Sequence, residues 1–323
     1  MTSASISNSN LKGALCATVA AMCFSLNDVG IKFLSDTYAL HQIVFYRSLI
    51  GILTFALIIM PISGGLKTMS TRLLHWHLAR GLCVVAANSF LFLGLASLPI
   101  ADAVAIFFVS PLVIAVFSVI FLGEHVGPRR WAAIAIGLLG VLIMVKPGTS
   151  AFQIAAILPA ISAALYALMH IIARRIGGTE SAGTMTFWIL VSFMTVSATV
   201  GLAIGDGRYA SGAPEVLTFL LRAWAPLDPA DIPIFVMLGT SGIIGGFLIS
   251  QAYRIAEAAF AAPFEYVSMP MAVIWGVVVF GTFPGVSTWV GIALILGSGL
   301  AMIYLETRRP PAPRPDTKVY SDT

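Results

Sequence analysis

The sequence predicts an all-α integral membrane protein of ten transmembrane helices, arranged as two inverted five-helix repeats around a central cavity. Three observations carry this. The chain is 59% hydrophobic and only 10% charged over 323 residues, against about 25% charged in soluble domains. Its apolar residues fall into ten runs that each approach the length of a membrane span. The second half repeats the first with its charges on the opposite side. With a mean hydropathy of +0.95, a soluble fold of this length could not hide its apolar surface, whereas lipid removes the problem.

The first run, 12–34, follows a polar tail with no basic cluster, and its interior Asn27-Asp28 is preceded by no small-residue cleavage site. It reads as a retained helix rather than a removed signal peptide. The next runs are 41–61, 73–97, 100–122 and 130–146, which complete a first repeat over 12–146. The second repeat, 152–306, holds 152–173, 181–205, 233–256, 260–281 and 287–306. Most connections are short. The exception, 206–232, is rich in Pro, Gly and acidic residues, and its segment EVLTFLLRAW (215–224) predicts a short interfacial helix. Residues 1–11 form an N-terminal tail, and the Pro-rich polar tail 307–323 is expected to be disordered.

Orientation follows from Lys and Arg. With the N-terminus in the cytoplasm, 13 of the 18 basic residues fall on or near the cytoplasmic side, among them Lys67, Arg72, Arg129, Arg130, Arg174 and Arg175. Lys32, Arg47, Lys146, Arg208 and Arg222 fall toward the outside. Both termini are then cytoplasmic, in a multi-pass protein of the cytoplasmic membrane.

The repeat is visible at a shift of 158, where FLGEHVGPRRW (121–131) aligns with VFGTFPGVSTW (279–289) and Val109-Ser110 with Val267-Ser268. Nearer the start the shift is 142, pairing Phe24 with Tyr166, Lys32 with Arg174 and Phe45 with Phe187. The longer loop 206–232 accounts for the difference. Five helices per repeat is an odd number, so the second repeat is inverted, and Arg129-Arg130 become Ser287-Thr288. Inverted repeats are a transporter architecture, with the substrate at the repeat interface. The expectation is secondary transport of a small organic molecule by alternating access.

LPIADAVAIFFVSPLVIAVFSVIFLGEHVGPRRWAAIAIGLLGVLIMVKP (98–147) and AYRIAEAAFAAPFEYVSMPMAVIWGVVVFGTFPGVSTWVGIALILGSGLAMIY (252–304) resemble the EamA-type repeats of the drug/metabolite transporter superfamily. The likeness covers roughly 11–306. It implies a metabolite carrier working in either direction. NDVGIKFL (27–34), FYRS (45–48) and APFEY (262–266) are similar to the branch associated with S-adenosylmethionine uptake, with riboflavin importers as neighbours. Export of amino acids or related metabolites is the alternative. The chain departs from the family pattern at Glu257, where many relatives carry proline, and at Thr282, the counterpart of Glu124.

Ionisable groups within spans are costly and are functional candidates by default. Asp28 and Arg47 each lie six residues from the outer end of their helix, roughly 9 Å deep. Lys32 is four residues beyond Asp28 on the same face. These three are expected to cluster, either as an ion pair that sets helix orientation or as an outer gate and substrate site. On the inner side Arg254 and Glu265 sit at similar depth, as a latch or inner gate, with His170 beside them as the repeat counterpart of Asp28. Arg80 reads first as a cytoplasmic anchor. Asn27, Tyr46, Asn88, Ser110, Tyr166, Trp188, Gln251, Tyr253 and Tyr266 are the remaining in-span polar and aromatic residues, each an interhelical contact or part of a cavity wall. Pro111 and Pro270 are expected to kink their helices. The glycines of GTSGIIGGF (239–247) and GLLG (137–140) suit close helix packing, with local unwinding as the other reading.

There is no GxxxxGK[ST], HExxH or GxSxG, and no Cys/His metal spacing. No cofactor or metal is expected, and the chain reads as no enzyme. His75 and His77 flank Trp76 at a helix start, which suits an interface belt. Cys16, Cys23 and Cys83 lie in apolar runs and read as packing residues. The net charge of +4 reads as orientation signal, not a nucleic-acid footprint. Expected partners are a small-molecule substrate and membrane lipid, with a proton as candidate coupling ion and a monomer or homodimer as assembly. A non-transporting sensor and an intramembrane enzyme are the readings from other classes.

Overall fold

The computed structural model describes residues 8–123, 127–147, 153–176, 179–255 and 262–307. Among these the chain is all-helical, with no strand. Lipid offers no partner to a bare peptide group, and helices satisfy theirs internally. The helices are α1 (Asn8–Leu34), α2 (Leu40–Thr54), α3 (Met60–Ile62), α4 (Leu74–Ser97), α5 (Ile100–Phe107), α6 (Ser110–Leu122), α7 (Pro128–Val145), α8 (Ile157–Ile176), α9 (Ala182–Ile204), α10 (Glu215–Leu221), α11 (Ile232–Ile255), α12 (Ser268–Phe280) and α13 (Val286–Thr307). A π-helical segment, Phe55–Ile59, joins α2 to α3, so that span is continuous over Leu40–Ile62.

Among the described residues, seven helical runs are long and apolar enough to cross a membrane, with α5 and α6 counted together as Ile100–Phe121. Three shorter apolar helices accompany them, Trp131–Val145, Phe264–Phe280 and Val286–Ala301. This is a multi-pass membrane protein.

The sequence predicts kinks at Pro111 and Pro270, and the structure differs at both positions. The run 100–122 is not a bent helix but two helices, broken at Phe108-Val109. Pro111 is the second residue of α6, where its missing N–H would have had no partner in any case. Pro270 is the third residue of α12, which follows a 3-10 segment, Ala262–Val267. Both prolines therefore start helices rather than bend them.

The most extensive pairings in the bundle are α1 against α11, α7 against α13, α4 against α8, and α2 against α11. Small residues make the close ones. A Cβ at Gly239 would stand 2.6 Å from Ile50 side-chain carbons, and one at Gly140 would stand 3.1 Å from the Gly291 carbonyl oxygen. The glycine-rich stretch of α11 remains regular helix, so it serves packing and does not unwind.

The segment 206–232 is ordered and strapped across one end of the bundle. The loop contains α10, whose Phe219 is buried, and a 3-10 turn, Pro229–Asp231. This end also carries the α1–α2 connection, residues 35–39.

Candidate functional site

The strap end is closed by side chains of residues 35–42. Tyr38, fully buried, donates its hydroxyl to Asp231 Oδ2 at 2.7 Å and accepts the Asp228 backbone N–H at 3.0 Å. Burial pushes the Tyr38 phenol above its ordinary value, so it remains a donor. Gln42 makes a two-bond clasp with Ala225, donating to its carbonyl at 2.6 Å and accepting its N–H at 3.0 Å. Trp224 donates its indole N–H to His41 Nδ1 at 2.6 Å, and Arg222 donates to the Ser35 carbonyl at 2.8 Å. Rings fill the space beneath: Trp224 lies 5.5 Å from Phe45 and 6.0 Å from Tyr46, and Phe235 lies 5.7 Å from Tyr46.

Below this layer sits a polar centre built on α1, α2 and α11. Arg47 donates to Asn27 Oδ1 at 3.2 Å. The Asn27 amide nitrogen donates in turn to Ser241 Oγ at 2.6 Å. The Arg47 guanidinium is held between two aromatic faces, 5.3 Å from the Phe92 ring centre and 4.8 Å from that of Phe193. This placement retains the charge in an apolar bundle through π-face attraction. Asp28 is half-buried beside it and feels the Arg47 charge, with no hydrogen bond or ion pair from another described residue. Tyr46 and Asn88 are half-buried as well, and Asn88 donates to the Val84 carbonyl of its own helix at 3.0 Å.

Lys32 does not join this group. Its ammonium donates to the carbonyls of Leu95 at 2.7 Å and Leu98 at 2.6 Å, with the Phe280 ring 5.4 Å away. Those carbonyls close the C-terminus of α4, where a cation complements both the unpaired oxygens and the helix dipole. The expected three-way cluster does not form, because Lys32 serves as a cap, and Asp28 makes no ion pair with Arg47.

The opposite end collects a second group. Arg80 is 7% exposed, far more enclosed than a cytoplasmic anchor would be. It donates to the Met185 carbonyl at 3.3 Å. His77 is buried, not in an interface belt, and its Nε2 lies 3.5 Å from Glu180 Oε2. His75, by contrast, is exposed. Tyr166 and His170 are in edge contact at 4.5 Å, and Tyr166 meets Phe107 at 5.2 Å. Tyr266 is buried against Phe108 at 5.6 Å. Gln251 borders a recess of about 140 Å³ with Ser63, Ser181 and Phe247. Ser110 is buried at the start of α6. Glu265 is half-buried within the last 3-10 segment, Ala262–Val267. The side chains of Arg254 and Tyr253, and the residue Glu257, lie outside the described residues, so the Arg254–Glu265 latch stays an expectation.

The partners Phe92, Phe193, Ser241, Trp224 and Glu180 were not singled out from sequence. Nothing in the local pattern separates those rings from the other phenylalanines. Arg80 had a usable signal, since it lies six residues into α4, about 9 Å from its start, as deep as Arg47.

Comparison with known proteins agrees with this architecture. The EamA-like transporter family matches residues 11–146. A riboflavin transporter from Rhizobium johnstonii is 32% identical, over 76% of this chain and 75% of its own. A riboflavin transporter from Vibrio cholerae is 26% identical, over 94% and 97%. An S-adenosylmethionine uptake transporter from Rickettsia prowazekii is 24% identical, over 92% and 94%. One solved crystal structure superposes with a TM-score of 0.63 at 18% identity, covering 92% of this chain and 98% of that one, and so shares the fold. The chain belongs to the EamA-like transporter family and is a multi-pass membrane transporter of a metabolite.

Proposed function

We propose that this protein imports riboflavin across the cytoplasmic membrane by alternating access. The observation that carries the reading is the setting of Arg47: a planar cationic donor between Phe92 and Phe193, bonded to Asn27. Aromatic rings beside a fixed planar donor suit a flat, uncharged ring system with acceptors along one edge. Flat walls supply apolar contact, and a few fixed donors set orientation. The likeness to two riboflavin transporters supports the same substrate. S-adenosylmethionine is the second reading, favoured by Asp28, whose carboxylate stands ready for a cationic ligand.

The working architecture is ten spans in two inverted halves, 12–146 and 152–306. Two features support it. Exchanging the halves exchanges the pairing of α1 with α11 for that of α8 with α4, and the pairing of α2 with α11 for that of α9 with α4. Gly123 and Gly281, matched at the repeat shift, share a left-handed backbone with φ of 67° and 64°. The bias of Lys and Arg supports cytoplasmic termini and an outward-facing strap. Closure at the strap, with Asp28 and Arg47 beneath it, is then closure to the outside.

Uptake of riboflavin into proteoliposomes, followed by flavin fluorescence, tests the substrate. Saturable flux abolished in Arg47→Ala is the expected result. Flux of S-adenosylmethionine in place of riboflavin would transfer the assignment to the second reading, and flux of neither would refute both.

A further inference from the structure

Several buried polar atoms at the end opposite the strap have no partner among the described residues. Arg80 uses one N–H on the Met185 carbonyl, while its Nε is buried without an acceptor. Among the described residues no carboxylate lies within ion-pairing distance of it. The indole Nε1 of Trp188 is likewise buried and unpartnered. A guanidinium withdrawn from water without a counter-charge is strongly unfavourable, and a buried N–H with no acceptor adds to that cost. Native structures rarely leave such groups without a partner, and those that do so often sit where a bound species or a functional role completes them.

The three helices concerned converge. His77 and Arg80 are one turn apart on α4, and Met185 and Trp188 are one turn apart on α9. The contacts run between these two faces: Arg80 reaches Met185, and the His77 ring lies 6.3 Å from the Trp188 ring. From α8, Tyr166 feels the Arg80 charge and stands between Phe107 and His170. Donors from α4 and α9 and the Tyr166 ring from α8 thus gather at one place, at the end opposite Arg47.

We propose that Arg80 and Trp188 form a second, cytoplasmic-side substrate station, whose N–H donors receive the acceptor-bearing edge of the flat substrate while Tyr166 flanks its face. This rests on the riboflavin reading. A carrier with donors at both depths passes its substrate from Arg47 to Arg80 as the halves rock, and each station is specific for the face it serves.

Sidedness tests this. Half-saturation for riboflavin is measured from each face, with right-side-out and inside-out membrane vesicles carrying the wild type, Arg80→Gln, Arg80→Lys and Trp188→Phe. Loss of one hydrogen bond to a charged donor corresponds to about a tenfold change. The expected result is about a tenfold rise on the cytoplasmic face for Arg80→Gln and a smaller one for Trp188→Phe. The outer-face value should stay within about twofold. Arg80→Lys should recover part of the loss, because the charge remains. Retained outer-face binding shows that the variants are folded. Wild-type flux with no shift, or with equal shifts on both faces, overturns the inner station alone. Absence of wild-type riboflavin flux overturns the substrate reading and this proposal with it.

Discussion

Arg47 on α2 donates to the side-chain oxygen of Asn27 on α1 at 3.2 Å, and Asn27 passes the link to Ser241 on α11. Three helices thus meet at one guanidinium, which has no carboxylate bonded to it among the described residues and is stabilised by the faces of Phe92 and Phe193. A planar cation is needed for that arrangement. An ammonium has no plane to lay between two rings while one of its N–H groups bonds Asn27.

Arg47→Lys is therefore not conservative. A desolvated cation–π contact is worth about 2 kcal/mol, or roughly thirtyfold in affinity. Riboflavin uptake by Arg47→Lys should fall by about that factor. Uptake normalised to the amount of monodisperse protein checks it. Wild-type uptake would show that charge alone suffices at this position.

Lys32 makes the contrasting case. Its ammonium closes the carbonyl end of α4 through Leu95 and Leu98, so its loss is a stability effect. Lys32→Ala should lower stability by about 1.5–3 kcal/mol, the range for hydrogen bonds to a charged group. Thermal unfolding of the purified protein reads the loss, and the half-saturation for substrate should stay at the wild-type value. A raised half-saturation at unchanged stability would place Lys32 at the substrate instead.

The strap gives a prediction about local opening. Gln42 holds Ala225 by two hydrogen bonds, and the strap contains Arg208 and Arg222, the two trypsin sites between residues 206 and 231. Removing the clasp with Gln42→Ala costs about 1–3 kcal/mol of local stability. Cleavage through local opening should then accelerate by at least about fivefold. Mass spectrometry of timed digests shows whether the new fragments begin after Arg208 and Arg222. Cleavage at the wild-type rate would mean that the rings around Trp224 hold the strap unaided.

The membrane class and the in-span polar residues were legible because charge and length are properties of the chain itself. Asn27, Asp28 and Arg47 stand out of an apolar run wherever that run is placed. What those residues touch was less legible. The i, i+4 spacing of Asp28 and Lys32 argues for one shared face, and it is silent about the α4 carbonyls that draw Lys32 away. Phe92 and Phe193 are two of 20 phenylalanines, and only the crossing of α2, α4 and α9 singles them out. The strap was legible as a loop from its Pro and Gly, but the bonds that order it come from residues 35–42. The prolines misled for a local reason: a proline inside an apolar run is read as a kink, while Pro111 and Pro270 occupy the first turns of new helices.

The contact between Gly299 and Tyr266 shows how a missing side chain makes room for a buried ring. A Cβ at Gly299 would stand 2.6 Å from the Tyr266 ring carbon that bears the hydroxyl, and closer still to the hydroxyl oxygen. The tyrosine is buried there, with its hydroxyl unpartnered and its ring 5.6 Å from Phe108 at the break between α5 and α6. Gly299→Ala must therefore displace the ring or part α13 from the 262–267 segment. Overpacking of this kind costs about 1–3 kcal/mol. Tyr266→Phe removes the nearest atom and leaves the ring carbon, so the double variant should recover part of the loss. Tyr266→Leu, which removes the ring, should recover more. A double-mutant cycle on thermal stability measures the coupling, expected at about 1 kcal/mol or above for residues in direct contact. Additive losses would mean that Tyr266 does not occupy the space left by Gly299.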